Sequence, residues 1–229
     1  MRVMTILIGV AIPLLGPACA PEAGSTAPMT TGHGAAGSPA ATTAACGASV
    51  TTDLRLESDL NCPGDALVVN ADGITINLNG HTILGSGTGN GITVRGRNDV
   101  TIHGGTVRNF VTCILVANST AIVVKDNGFT QNREAVFLNG SSGSIVKSNV
   151  AWENSSRGIM IRPSSSGIST DNVVVENLLT DNPSGILVFE QSGNTLKGNT
   201  ISGSSVAAID LVSVGGSDNV IKEIGRAHV

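Results

Sequence analysis

The sequence predicts an all-β chain wound as a parallel solenoid of about seven coils, and three observations lead there. Short apolar strands recur at a near-constant spacing, residue types keep their register from one repeat to the next, and Gly and Asn fill the gaps without helical periodicity. An antiparallel sandwich gives no reason for residue types to stay in register.

Each repeat opens with a four-residue strand, at 66–69, 91–94, 113–116, 135–138, 158–161, 185–188 and 208–211, so successive starts differ by 25, 22, 22, 23, 27 and 23 residues. Alternate side chains in a strand share a face. Ile92, Ile114, Val136, Ile159, Ile186 and Ile209 therefore form one inward column, and Val94, Val116, Leu138, Ile161, Val188 and Leu211 a second. The first position of the strand is always small from Gly91 onward, which places Cys113 as a small buried residue rather than a catalytic thiol. A second short strand follows near residues 74, 100, 122, 145, 173, 195 and 219. One parallel strand per face per coil, with coils about 4.8 Å apart, makes a solenoid. Asn127, Asn149, Asn177 and Asn199 share the register just after the second strand, where Asn tolerates turn geometry and its amide bonds the coils above and below. The stretch INLNGHTI, 76–83, is a strand and its turn, with His81 a turn residue and His103 at the strand position of Asn77.

Ahead of the repeat, residues 1–20 place one Arg before an apolar run and end on small residues, the layout of a secretory signal. The run is too short for a comfortable membrane span. Its end, LLGPAC, resembles a bacterial lipobox, which implies lipidation of Cys19, although Gly16 and Pro17 depart from the usual pattern; simple secretion is the alternative. Residues 21–45 hold almost only Ala, Gly, Ser, Thr and Pro and are expected to be a disordered tether, with His33 solvated in it. In an exported, oxidising context Cys46 and Cys62 are expected to form a disulfide. The rival, a zinc pair, lacks a second pair of ligands at suitable spacing.

The stretch from Cys46 to Phe110, and the phrase ADGITINLNGHTI within it, resembles the opening of bacterial right-handed parallel β-helix proteins of the pectate-lyase-like superfamily, including the periplasmic NosD-type repeat group. The resemblance covers residues 46–222 and implies a right-handed coil. The last seven residues, EIGRAHV at 223–229, break the pattern and resemble a translated sequencing adapter, so the native chain is expected to run to about Lys222 and to continue into further coils.

A net charge of −4 and 2% aromatics give no nucleic-acid footprint. The superfamily resemblance implies a search for carboxylates, an accompanying basic residue and, in an enzyme, calcium. Glu134 and Arg157 precede the start of adjacent coils and are expected to stack, with Arg133, Glu153, Trp152 and Arg162 nearby. Glu134 or Glu153 is the candidate acid or base and Arg157 its basic neighbour, while Trp152 is an outward ring able to stack on a sugar face. Lys125, Lys147, Lys197 and Lys222 share one register interrupted by Val175, a basic stripe that suits an acidic glycan or simply a solvated surface. Thr93, Leu115, Phe137, Met160, Leu187 and Asp210 form an outward column that is apolar in its middle, either a partner face or a surface covered by the loop starting at Arg162. The motifs that mark the superfamily's epimerases and polygalacturonases, and G-G-x-G-x-D calcium repeats, are absent from the sequence. His81, His103, Cys113 and Met160 are too scattered for a copper cluster, and no metal site or resident cofactor is expected.

The expected function is an exported envelope module, lipid-anchored or secreted, that binds a glycan or serves as a scaffold. A polysaccharide lyase or epimerase is the alternative, and a NosD-like assembly factor acting on an envelope protein is a third. Contact with the membrane is expected only through the N-terminal lipid.

Overall fold

The computed structural model describes residues 44–212 and 218–225. The signal segment with Cys19, the tether with His33 up to residue 43, and Arg226 and His228 lie outside the described residues.

The strands form three parallel sheets, two of eight strands and one of seven. Sheet A holds Ala48–Val50, Leu67–Val69, Asn90–Arg95, Thr112–Ala117, Glu134–Asn139, Arg157–Arg162, Ser184–Phe189 and Ala207–Val212. Sheet B holds Leu54–Arg55, Thr75–Asn77, Thr101–His103, Val123–Lys125, Ile145–Lys147, Val173–Val175, Thr195–Lys197 and Val220–Lys222. Sheet C holds Leu60–Asn61, Thr82–Leu84, Thr106–Arg108, Gly128–Thr130, Val150–Trp152, Leu178–Thr180 and Thr200–Ser202. The chain visits A, B and C in turn, completing seven coils and two strands of an eighth. This is the parallel solenoid that the repeat predicts and the right-handed β-helix that the resemblance implies, with one difference. Each coil has three strands, where spacing alone indicates two. The sheet C strands offer a single inward side chain, such as Val107, Phe129, Ala151 or Leu179, without apolar neighbours on both sides like the Ile74 and Leu78 that flank Ile76 in sheet B, so no alternation is visible in them.

The inward columns hold as expected: from Ile92 to Ile186 and from Val94 to Val188 every member is essentially inaccessible to solvent. At the last strand Ile209 is only half-buried and Leu211 is 43% exposed, because no further described coil covers them. Stacking sets the small residues at the corner into sheet A. A Cβ on Gly91 would stand 2.6 Å from the Cys113 carbonyl oxygen, and one on Gly185 2.5 Å from that of Ala208, so neither backbone tolerates a larger residue without moving. Cys113 is fully buried, its Sγ 3.0 Å from the Val107 carbonyl oxygen, and burial pushes its thiol well above the usual range. Cys46 and Cys62 form a disulfide across the first coil.

Polar ladders hold the corners. At the B-to-C corner each Asn donates its Nδ2 to the Oδ1 of the next, at 3.2 Å from Asn127 to Asn149, 3.0 Å to Asn177 and 2.9 Å to Asn199. Each also donates to a backbone carbonyl of the coil before, as Asn149 does to Val124 at 3.0 Å. Two further corners are built alike: Asn132, Asn154 and Asn182 between sheets C and A, and Asn172, Asn194 and Asn219 between A and B. Ser119 and Ser141 accept backbone N–H groups beside the latter. All the strands are thereby fixed in register, and outward side chains of successive coils align into straight columns.

Candidate functional site

Register decides which predicted residues meet. Glu134 pairs with Arg157 across sheet A, and Arg157 Nη1 donates to Glu134 Oε1 at 3.1 Å. The Glu134 side chain is 8% exposed and that of Arg157 27%. Thr112 Oγ1 lies 3.5 Å from the other carboxylate oxygen, and Arg157 also reaches Ser156 Oγ at 3.2 Å. A carboxylate enclosed and paired in this way ties two coils together and is not presented to a substrate. Arg133 and Glu153 separate from it, lining an open groove at the C-to-A corner over Phe110 and Gln131. Trp152 faces outward from sheet C, and Arg162 is exposed at the end of its sheet A strand. The expected single cluster is thus divided among four places: the enclosed Glu134–Arg157 pair, the groove of Arg133 and Glu153, Trp152 on sheet C and Arg162 at the end of its sheet A strand. Strand parity placed the residues on the outside but could not assign them to a sheet that the spacing did not reveal.

The basic stripe is one column. Along sheet B the aligned residues run Arg55, Asn77, His103, Lys125, Lys147, Val175, Lys197 and Lys222. These four lysines are all the lysines in the chain. No strand of sheet B from Thr75 to Lys222 contains Asp or Glu. The carboxylates nearest in sequence, Asp126, Glu176 and Glu223, sit one residue on, at left-handed turn positions with φ of 55°, 56° and 53°. Among the described residues one lysine has a carboxylate within ion-pair distance, Lys197, 3.7 Å from Glu223. At the lower end Arg55 bonds Glu57 at 2.9 Å and Asn79 Oδ1 at 2.7 Å. The field of the column is felt by its histidine: partial burial, and then the Lys125 ammonium, hold His103 below its ordinary value.

His81 stands elsewhere, in the turn from sheet B to C, with Nδ1 3.2 Å from Asp59 Oδ1 of the preceding coil rather than on backbone. The Thr82 N–H, donating to the same carboxylate at 2.9 Å, is the main reason Asp59 is held below its usual range. The outward column of sheet A is not an open apolar face: Met160 and Leu187 are buried, and Leu115 and Phe137 half-buried.

The sequence matches the family model "Periplasmic copper-binding protein (NosD)" over residues 53–223. No curated protein matches. Solved structures similar to the chain include an alginate lyase from Paenibacillus sp. str. FPU-7, at 14% identity over 79% of this chain and 90% of that one, TM-score 0.37. Endopolygalacturonase I from Stereum purpureum is 13% identical over 80% and 89%, TM-score 0.36. The tailspike protein of E. coli bacteriophage HK620 is 11% identical over 78% of this chain and 52% of its own, TM-score 0.42. The family description names copper. Copper is held by converging Met, His or Cys side chains. Here Cys113 is sealed in the core, Met160 is buried on sheet A, His103 sits beside a lysine and His81 beside Asp59 at another corner. No group of three or more His, Cys, Asp or Glu among the described residues is arranged to hold a metal, so these residues do not fit a copper site.

Proposed function

The chain belongs to the NosD family of periplasmic copper-binding proteins, and from that premise we propose that it is an exported β-helix module that binds an acidic polysaccharide at the cell envelope. The family's periplasmic description supports export, and the segment LLGPAC supports anchoring through a lipid on Cys19. One observation carries the ligand: every lysine of the chain stands in a single column along sheet B. Lysines kept for solubility have no need to align. Stacked at the coil spacing of about 4.8 Å, like charges repel by up to about 1 kcal/mol per neighbour in water and oppose the fold.

A row of cations spaced by whole coils along a flat face, with one gap at Val175, suits a linear polymer with one negative charge per repeat better than a compact anion, which needs converging donors. A polyuronate chain laid parallel to the solenoid axis meets that description. Asp126 and Glu176 beside the column limit its field, which favours a ligand held in line with the lysines over general adsorption of polyanions.

Retention on polygalacturonate and alginate against a neutral glucan tests the reading. The double variant K125E/K147E is expected to weaken binding about tenfold or more and to flatten its salt dependence, because each lysine contributes a screened contact. Filling the gap with V175K should strengthen binding. R95E removes the same charge from an exposed residue at the end of a sheet A strand and should change little. Equal losses in R95E and in a single K147E variant would mean non-specific attraction and sink the proposal. The groove holding Arg133 and Glu153 supports a second reading, a lyase, for which unsaturated products from the same polymers, lost in E153Q, are the readout.

A further inference from the structure

We propose that the outward face of sheet C around Trp152 is a second carbohydrate subsite, which takes the apolar face of one pyranose unit by stacking. It shares with the proposed function only the choice of a sugar as ligand, and it lies on a different sheet from the lysine column.

The face is built over adjacent coils. Thr130, Trp152 and Thr180 are aligned in one column, and Gly128, Val150 and Leu178 in the other. A Cβ placed on Gly128 would lie 3.4 Å from Trp152 Cζ3 and 3.5 Å from Cη2, so the six-membered ring leans back over the preceding coil, within van der Waals reach of that position. Next to the ring, Val150 is 40% and Leu178 38% exposed. Elsewhere the outward positions of sheet C are mostly polar: Thr82, Thr106, Arg108, Thr200 and Ser202. Apart from the half-buried Leu84, the outward apolar surface of sheet C is therefore concentrated on two coils and framed along the axis by hydroxyl groups. The half-buried Thr106 and Thr180 border it, while the Thr130 hydroxyl is itself buried and has no hydrogen-bond partner within the protein.

This pattern matches a pyranose in chemistry and size. A sugar ring has a face of C–H groups that packs on an indole and a rim of hydroxyls that exchange hydrogen bonds with neighbouring Thr side chains. Three apolar side chains fall far short of the roughly 800 Å² that each partner buries in a stable protein complex.

The chain has one Trp and no Tyr, so its indole emission reports this face alone. The full chain would be titrated with a neutral glucomannan, a neutral β-glucan and polygalacturonate, following emission and, in parallel, calorimetric heat. A saturable change in emission is expected with at least one polymer. W152A should weaken that binding about tenfold, the loss of one stacked ring, W152F should retain most of it, and L178D should weaken it comparably. Melting curves of these outward variants should overlay the parent's. No saturable change with any of the three polymers, or binding undiminished in W152A, overturns the subsite. K125E/K147E keeps the two readings apart: a Trp response that survives in that variant belongs to sheet C, whereas an acidic polymer retained by W152A but not by K125E/K147E belongs to sheet B.

Discussion

His103 is the residue whose surroundings lead most directly to a measurable consequence. It stands in register between Asn77 and Lys125, where partial burial and a neighbouring ammonium both disfavour the imidazolium. Its folded value lies below the ordinary 6.5, so the unfolded chain binds the proton more readily in the window between the two. The stability this group contributes is fully present above about pH 6.5 and is lost as the pH falls through the lowered value. The variant H103N copies the Asn77 of the coil below and removes the titration. Between about pH 7 and pH 5 the parent's melting temperature should fall more steeply than that of H103N, and parallel curves would disprove the coupling. The alignment of His103 with Lys125 was legible from spacing, since both sit three residues into their strands. The burial of Glu134 was not, because parity says which way a side chain starts but not what closes over it.

At the scale of elements, the corner ladders explain why the register is so strict. Asn149 accepts both the backbone N–H and the Nδ2 of Asn127 at its Oδ1, at 3.1 and 3.2 Å, and donates both of its own to Asn177 Oδ1 at 3.0 Å. N149A removes the acceptor for two buried donors and leaves the Val124 carbonyl without its side-chain partner. A loss of about 3 kcal/mol is expected, in line with two or more buried groups left unsatisfied. Urea unfolding should show it as a lower midpoint at nearly constant slope. A change under about 0.5 kcal/mol would mean that water replaces the amide and that the ladder is not a structural requirement. This ladder could be read from the sequence because it follows an apolar strand with a clear period. The Asn132 and Asn172 ladders recur just as regularly, but one follows the short sheet C strands and the other an irregular corner. Asn172, Asn194 and Asn219 nevertheless each stand directly before a sheet B strand, so the register of that ladder can be counted from the strand that follows it.

For the whole described domain, each strand pairs only with the coil before and the coil after, so stability is close to a sum of nearest-neighbour terms. The seven-coil solenoid was legible because such a molecule writes one pattern repeatedly, while the candidate site was legible only in pieces because outward residues are fixed by neither packing nor period. Nearest-neighbour stability also predicts how the domain fails. The Cys46–Cys62 bridge closes 16 residues at the first coil, where inward side chains have no described coil beneath them. Chain entropy for a loop near that length corresponds to about 3 kcal/mol. In C46S/C62S the missing constraint should therefore appear first where it acted. Hydrogen exchange should lose protection at Ala48–Val50, Leu54–Arg55 and Leu60–Asn61, with the middle coils, from Thr112–Ala117 to Val173–Val175, unchanged under native conditions. Binding through Lys125 and Lys147, three coils or more away, should persist in the same variant. If protection falls equally in every coil, the domain unfolds as one cooperative unit, and the nearest-neighbour description is wrong for this molecule.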